Sequence, residues 1–251
     1  MAKIDWKVEG AVRTVTLNRP EKRNALDGDM MEELRAVFTA PPEAEERVAV
    51  IRGAGPVFCA GLDMAWRADN PQGESGIEHM LHAIEVYPLP VVAIVHGDAI
   101  AGGNELALHC DLIVASTTAR FGMSLSQVGL APSWFLAKKL LEACGPAMTR
   151  QILLLGDPLP AKRFHELGMV SHLAEPAEIE TVAGRVIQRL ADNAPLSLVA
   201  MKALINREMA FRDGIPHADV DDIIDRARTS RDAQEGMKAR LEKRRPAFKG
   251  I

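Results

Sequence analysis

Hydrophobic positions along the chain switch between two spacings. In AVRTVTLNRP (11–20) small or apolar residues alternate with polar ones and the run stops at Pro20, which predicts a strand entering a loop. NALDGDMMEELRAVFTA (24–40) changes to helical spacing and ends before Pro41 and Pro42. RVAVIRGAG (47–55) is a short β-branched run closed by glycines and predicts a buried strand that empties into a tight loop. PLPVVAIVHGDAIAGGNELALHCDLIVAS (88–116) repeats the plan, with a strand at 91–95, a glycine-rich turn, a helix from about Gly103 and a further strand at 111–115. Between them, WRADNPQGESGIEHMLHAIEVY (66–87) is polar before it becomes helical, as expected of a mobile flap over a site.

From Pro132 onward the pattern is helical: WFLAKKLLEACG (134–145), AMTRQILLLG (147–156), PAKRFHELGMV (160–170), EIETVAGRVIQRLADNA (178–194) and PLSLVAMKALINREMAFR (195–212). Strand and helix first and helices alone afterwards predict an α/β core with a helical C-terminal part. The short connections argue against a second independent domain, and there is no internal repeat.

Composition narrows the function more than the fold. With 251 residues, 47% hydrophobic and 25% charged, the chain has the profile of a soluble globular protein, and a net charge of −4 disfavours nucleic acid as its main partner. No apolar run reaches membrane-spanning length, and the opening MAKIDWKVEG carries no secretory pattern, so a cytoplasmic protein without membrane contact is expected. Cys59, Cys110 and Cys144 are too few and too scattered for a disulfide framework or a zinc site. They read as separate buried thiols.

Two glycine loops carry the chemical signal: GAGPVFCAGLDM (53–64) after one strand and GDAIAGGNE (97–105) after another. Glycine allows positive φ and close approach, so such loops can aim amide N–H groups at an oxygen. If Gly102 and Gly103 open the helix that holds Glu105, the unpaired first-turn amides and the helix dipole stabilise negative charge beside a carboxyl group. Tight turns and helix packing explain the same glycines without chemistry. Neither GxGxxG nor GxSxG is present, so dinucleotide binding and serine hydrolysis are not favoured.

Five segments in register, NRPEKRNAL (18–26), GAGPVFCAGLDM, the 88–116 stretch, ARFGMSLSQVGLAP (119–132) and RRPAFKG (244–250), resemble the enoyl-CoA hydratase/isomerase family, the crotonase superfamily. The resemblance spans essentially the whole chain. It implies a crotonase-like ββα superhelix core (1–190) with the acyl-CoA site, and a helical C-terminal region (191–251) of the same unit that trimerises and covers that site. It also implies an acyl-CoA thioester substrate, no metal, no cofactor apart from the coenzyme A of the substrate, and a homotrimer or dimer of trimers. By the same resemblance Leu62 and Gly102 supply the two amides of an oxyanion hole, and Glu105 is the acid/base. Lys22 falls near the CoA phosphates, Ala25, Ala60 and Met64 near the nucleotide and pantetheine, and Phe248 and Lys249 match residues that reach a neighbouring subunit's site. Asp63 matches an Asp that braces its loop.

One departure is chemical. Hydratases of the family carry a second glutamate, and its position here falls on Leu125. Ser124, Ser126, Gln127 and Ser133 are the nearby polar groups left to orient water. The resemblance implies a hydratase/isomerase-type lyase; the alternatives are an acyl-CoA hydrolase, decarboxylase or C–C lyase on the same scaffold, or a weakly catalytic CoA-binding protein. An apolar Leu125 beside Glu105 would also raise its pKa. His79 and His82 read as surface or packing residues, and His96 as a core residue with a satisfied ring.

Overall fold

The β-branched runs fold as the centre of a parallel sheet. In the computed structural model, which describes residues 2–70 and 76–250, six strands line up in the order β1 (Ile4–Glu9), β2 (Val12–Leu17), β3 (Val48–Gly53), β4 (Val91–Val95), β6 (Leu112–Ser116) and β9 (His172–Ala174). Only the β1–β2 pair is antiparallel; β2, β3, β4, β6 and β9 run parallel, neighbour to neighbour. A sheet of this kind is covered on both faces, which is why β3 and β4 are continuously apolar rather than alternating. Val15, Leu17, Ala49, Ile51, Val91, Ala93 and Val95 join the larger core, while Val48, Val50, Val92, Ile94 and Val114 meet Ile179, Ala183 and Val186 of helix α7 (Ile179–Ala191).

The large core is closed by α1 (Gly28–Thr39), α3 (Ile77–Glu85), α4 (Gly102–Leu108) and α5 (Trp134–Leu155). Asp27 caps α1 by accepting from the Met30 amide. A small second sheet, β5 (Ala99–Ile100), β7 (Arg120–Gly122) and β8 (Leu159–Pro160), flanks the entry to α4. Chain order is completed by α2 (Met64–Asp69), α6 (Ala161–Glu166), α8 (Pro195–Met209), α9 (Ala218–Thr229) and α10 (Arg231–Leu241). This is the α/β architecture expected, with C-terminal helices in place.

The pattern missed several features. Strand β1 alternates Ile4, Trp6 and Val8 with Asp5, Lys7 and Glu9 but fully buries only Ile4, Trp6 being half-exposed. The region after Pro132 is not purely helical, because the short β8 and β9 lie within it and β9 extends the main sheet. The two runs at 134–145 and 147–156 are two helical stretches as read, meeting within α5 at a kink at Gly145 (φ 67°, ψ 169°) ahead of Pro146. In the flap, helix α2 already begins at Met64, and part of that segment, 71–75, lies outside the described residues. Among the described residues, no helix is long and apolar enough to cross a membrane, and no cluster of three or more His, Cys, Asp or Glu could hold a metal ion.

Candidate active site

Because β2, β3 and β4 are parallel neighbours, the loops that follow them emerge at the same edge of the sheet. That edge is where open α/β sheets place ligands. Residues 18–27 lie alongside 59–63: Leu26 donates to the Gly61 carbonyl and Asp63 to the Leu26 carbonyl, each at 2.8 Å, and Ala60 donates to the Arg23 carbonyl at 3.0 Å. Cys59 pairs in turn with β5, donating to Asp98 O at 3.1 Å and accepting from Ile100 N at 3.0 Å.

This pairing leaves two amides over. In the Leu26–Leu62 bridge the bonds are made by residues 61 and 63, so the Leu62 N–H faces away from it. Gly102 is the first residue of α4, where an amide has no partner within the helix. Neither amide donates to a backbone carbonyl among the described residues. They also converge: a Cβ built on Gly102 would sit 3.4 Å from the Leu62 nitrogen, and one built on Gly61 would sit 3.1 Å from the Gly102 nitrogen. Leu26 and Ile77 wall the same space, their Cδ1 atoms 3.4 and 2.9 Å from the built Gly102 Cβ.

Backbone strain maintains this aim. Ala101 has φ 50° and ψ −116°, a conformation L-residues rarely adopt, and is held there by donating to Gly122 O at 2.7 Å and accepting from Glu105 N at 3.0 Å. Gly61, at φ 92°, makes the matching turn on the other loop. Gly103 lets α4 press onto the Cys59 strand, since a Cβ there would overlap the Cys59 carbonyl oxygen.

Glu105, one turn into α4, is fully buried, and both its carboxyl oxygens lack a hydrogen bond among the described residues. Burial pushes its pKa well above the ordinary 4.5, opposed by the Lys139 charge, so enclosure favours the neutral acid. Enclosure by the whole core accounts for this, a broader cause than Leu125 alone. Leu125 packs half-buried against the core at the start of a 3-10 turn (Ser126–Val128), with Ser124 half-buried beside it. The Cys59 thiol is likewise raised by burial, to about 12, which removes it as a nucleophile.

The other expected site residues divide into two groups. Lys22, exposed, and the half-buried Ala25, Ala60 and Met64 gather on the paired 18–27 and 59–64 segments with Leu62 and Gly102. Phe248 and Lys249 lie elsewhere, on a tail whose amides at 247, 249 and 250 donate to Glu235 and Asp232 of α10. Asp63 braces its loop, capping α2 and pairing with Arg19 at 3.1 Å. His79 and His82 are exposed. His96 is a correction: its Nε2 is satisfied by the Gly55 carbonyl at 2.8 Å, but the ring is half-exposed rather than in the core.

Several residues that build the site gave no signal in the sequence. Asn24, fully buried, donates to the carbonyls of Ala54, Val57 and Phe58 and accepts from Arg19 N, riveting two loops together. Arg19 spans Asp27 and Asp63, and Asp98 pairs with Arg120 at 2.6 Å and with Arg23 at 3.5 Å. Their partners are distant in sequence, so no local pattern announces them.

The sequence model of the enoyl-CoA hydratase/isomerase family matches residues 7–251. The chain belongs to this family. It is 32% identical over 256 residues to the (E)-benzylidenesuccinyl-CoA hydratase of Thauera aromatica, covering 98% of this chain and 99% of that one. The crystal structure of an enoyl-CoA hydratase from Mycobacterium avium subsp. paratuberculosis superposes with a TM-score of 0.86 at 28% identity, covering 99% of each chain. A methylmalonyl-CoA decarboxylase structure shares the fold with a TM-score of 0.91 at 23% identity, covering 99% of this chain and 98% of that one.

Proposed function

We propose that this family member binds an acyl-CoA thioester, polarises its carbonyl with the Leu62 and Gly102 amides, and stabilises the thioester enolate while Glu105 moves the proton. The observation that carries this reading is the close approach of two amides from separate loops, neither donating to a backbone carbonyl among the described residues, with a buried, uncompensated carboxyl group one turn further along α4. Each well-placed oxyanion donor contributes roughly 3 kcal/mol to the transition state. Lys22, Ala25, Ala60 and Met64 would hold the CoA moiety, Ser124 and Leu125 would face the acyl group, and Phe248 and Lys249 would reach a neighbouring subunit of a homotrimer or dimer of trimers. No metal or further cofactor enters the reaction, and the enzyme works in the cytoplasm.

The reaction favoured is of the enoyl-CoA hydratase or isomerase type, as in the named relatives. In hydration, water oxygen bonds to the β-carbon, the C=C electron pair moves toward the thioester oxygen, and protonated Glu105 delivers its proton to the α-carbon. The proton lost by water then returns to the Glu105 carboxylate, so one carboxyl group can close the cycle. A second reading is a hydrolase, decarboxylase or C–C lyase: in the latter two an enolate released by bond cleavage needs one proton donor and no second carboxylate, which suits Leu125, and in a hydrolase the same amides would stabilise the tetrahedral oxyanion formed as water adds to the thioester carbon.

A panel of unsaturated, β-hydroxy, malonyl-type and β-keto acyl-CoAs, followed by mass spectrometry, separates these reactions. Glu105→Gln is expected to reduce turnover by at least about 10²-fold while CoA affinity persists. Turnover that survives E105Q overturns the reading; binding without any turnover shows a CoA-binding protein instead.

A further inference from the structure

Glu105 must carry charge at one point in any such cycle, and its site offers little to receive it. Once the proton has left, a carboxylate sits at a fully buried position with no hydrogen-bond donor in contact. Such a charge is costly unless a donor lies close by. One does. His109, at the C-terminal end of α4 and 2% exposed, holds its Nδ1 at 2.8 Å from the Glu105 carbonyl oxygen and 3.9 Å from Glu105 Oε2. Because a carbonyl only accepts, Nδ1 carries the hydrogen and Nε2 is bare. The ring stacks on Phe135 of α5 at 5.0 Å between centroids, which fixes its plane, and Nε2 has no partner among the described residues.

We infer that His109 is a positioning residue for Glu105: its Nδ1–H swings from the backbone carbonyl toward Oε2 when the carboxyl ionises, and stabilises the carboxylate that the missing second acid cannot assist. The inference rests on the reading of Glu105 as the acid/base. Other groups facing the pair act from farther away. Lys139 and Cys144 of α5 influence Glu105, and Lys138 and Lys139 of α5 with Glu85 of α3 influence His109. Lys139 is itself engaged by Glu85 at 2.6 Å. His109 Nδ1, 3.9 Å from Oε2, is thus within a small side-chain rotation of the carboxyl.

His109→Asn and His109→Leu test this directly. Both remove the stacked ring and are similar in size, but asparagine keeps an N–H at the δ position. The readout is α-proton exchange of butyryl-CoA in D2O against pH, which rises as Glu105 becomes a carboxylate. In H109L the rising limb is expected to move up by about one pH unit, giving about tenfold slower exchange at a fixed pH below it, with KM unchanged. H109N should return toward the wild-type profile. Identical profiles for the two variants, or failure of both to fold, would mean that the imidazole serves packing alone and would overturn the inference. E105Q distinguishes the premise: exchange that persists without the carboxyl, or is absent from the wild type, sinks the proposed function itself.

Discussion

Glu105 and His109 place opposite pH dependences one turn apart on α4. Burial, reinforced by Lys139, lowers the His109 pKa from 6.5 to about 4, so the folded chain stays unprotonated there while the unfolded chain takes up a proton. Stability from this group is therefore lost as pH falls from 6.5 toward 4, by up to about 3 kcal/mol. Glu105 acts in reverse. Its folded pKa lies well above 4.5, so above 4.5 the unfolded carboxyl ionises while the folded one does not, and stability is lost as pH rises. E105Q is expected to melt higher than wild type at neutral pH, with the gap closing toward pH 4.5, and H109N to lose the acid-side slope. Melting temperatures measured across this range check both signs. At position 125, L125E would restore a carboxyl group where the family's hydratases carry one. Crotonyl-CoA hydration should then rise toward the 10²- to 10⁴-fold that a general base contributes, roughly. An unchanged rate would mean that the side chain at 125 does not face the acyl group.

Among the elements, the two glycines that open α4 serve different ends, and substitution separates them. A Cβ on Gly103 meets backbone, the Cys59 carbonyl, so G103A must push α4 off the sheet and should destabilise the fold by about 3 kcal/mol or more. A Cβ on Gly102 meets only the movable tip of Ile77, at 2.9 Å, and points toward the Leu62 amide. G102A is expected to fold normally, as read by chemical denaturation, and to lose turnover because the oxyanion position is filled. Asn24→Ala removes three donated bonds from buried carbonyls and should cost about 2 to 3 kcal/mol, loosening the 54–58 loop and weakening CoA binding. These contrasts show how far the sequence could be read. The parallel strands, the glycine loops and the start of α4 were legible because their causes are local: β-branched runs, required turns, apolar spacing. Asn24 was not, since it acts through contacts that exist only once the loops have met, and His109, though four residues from Glu105, is defined by burial and by its stack on the distant Phe135. Arg13 illustrates the limit well. In β2 it shares the buried face with Val15 and Leu17, and its charge is tolerated there only because Glu46, far along the chain, meets it at 2.6 Å.

For the whole molecule, a single chain leaves a series of large apolar side chains exposed on its C-terminal helices. Met201, Leu204 and Ile205 stand exposed at one-turn spacing on α8, and Leu196, Phe211, Val220 and Ile223 add to the exposed apolar surface of the same C-terminal region. Where such residues adjoin one another, an exposed apolar patch marks an interaction surface. Cyclic association of copies through this region, as in the proposed trimer, would cover them. The tail strapped to α10 then gains a purpose, because its anchors on Asp232 and Glu235 present Phe248, which is 43% exposed, as a shaped projection rather than a loose end. Leu204→Asp places a charge on the apolar face without touching the glycine loops or Glu105. It is expected to convert the assembly to monomers by light scattering, and to raise KM for acyl-CoA more than it lowers kcat, because the site loses a neighbour's cover while its own amides and carboxyl remain. A monomeric L204D with unaltered KM would show that each chain completes its acyl-CoA site alone.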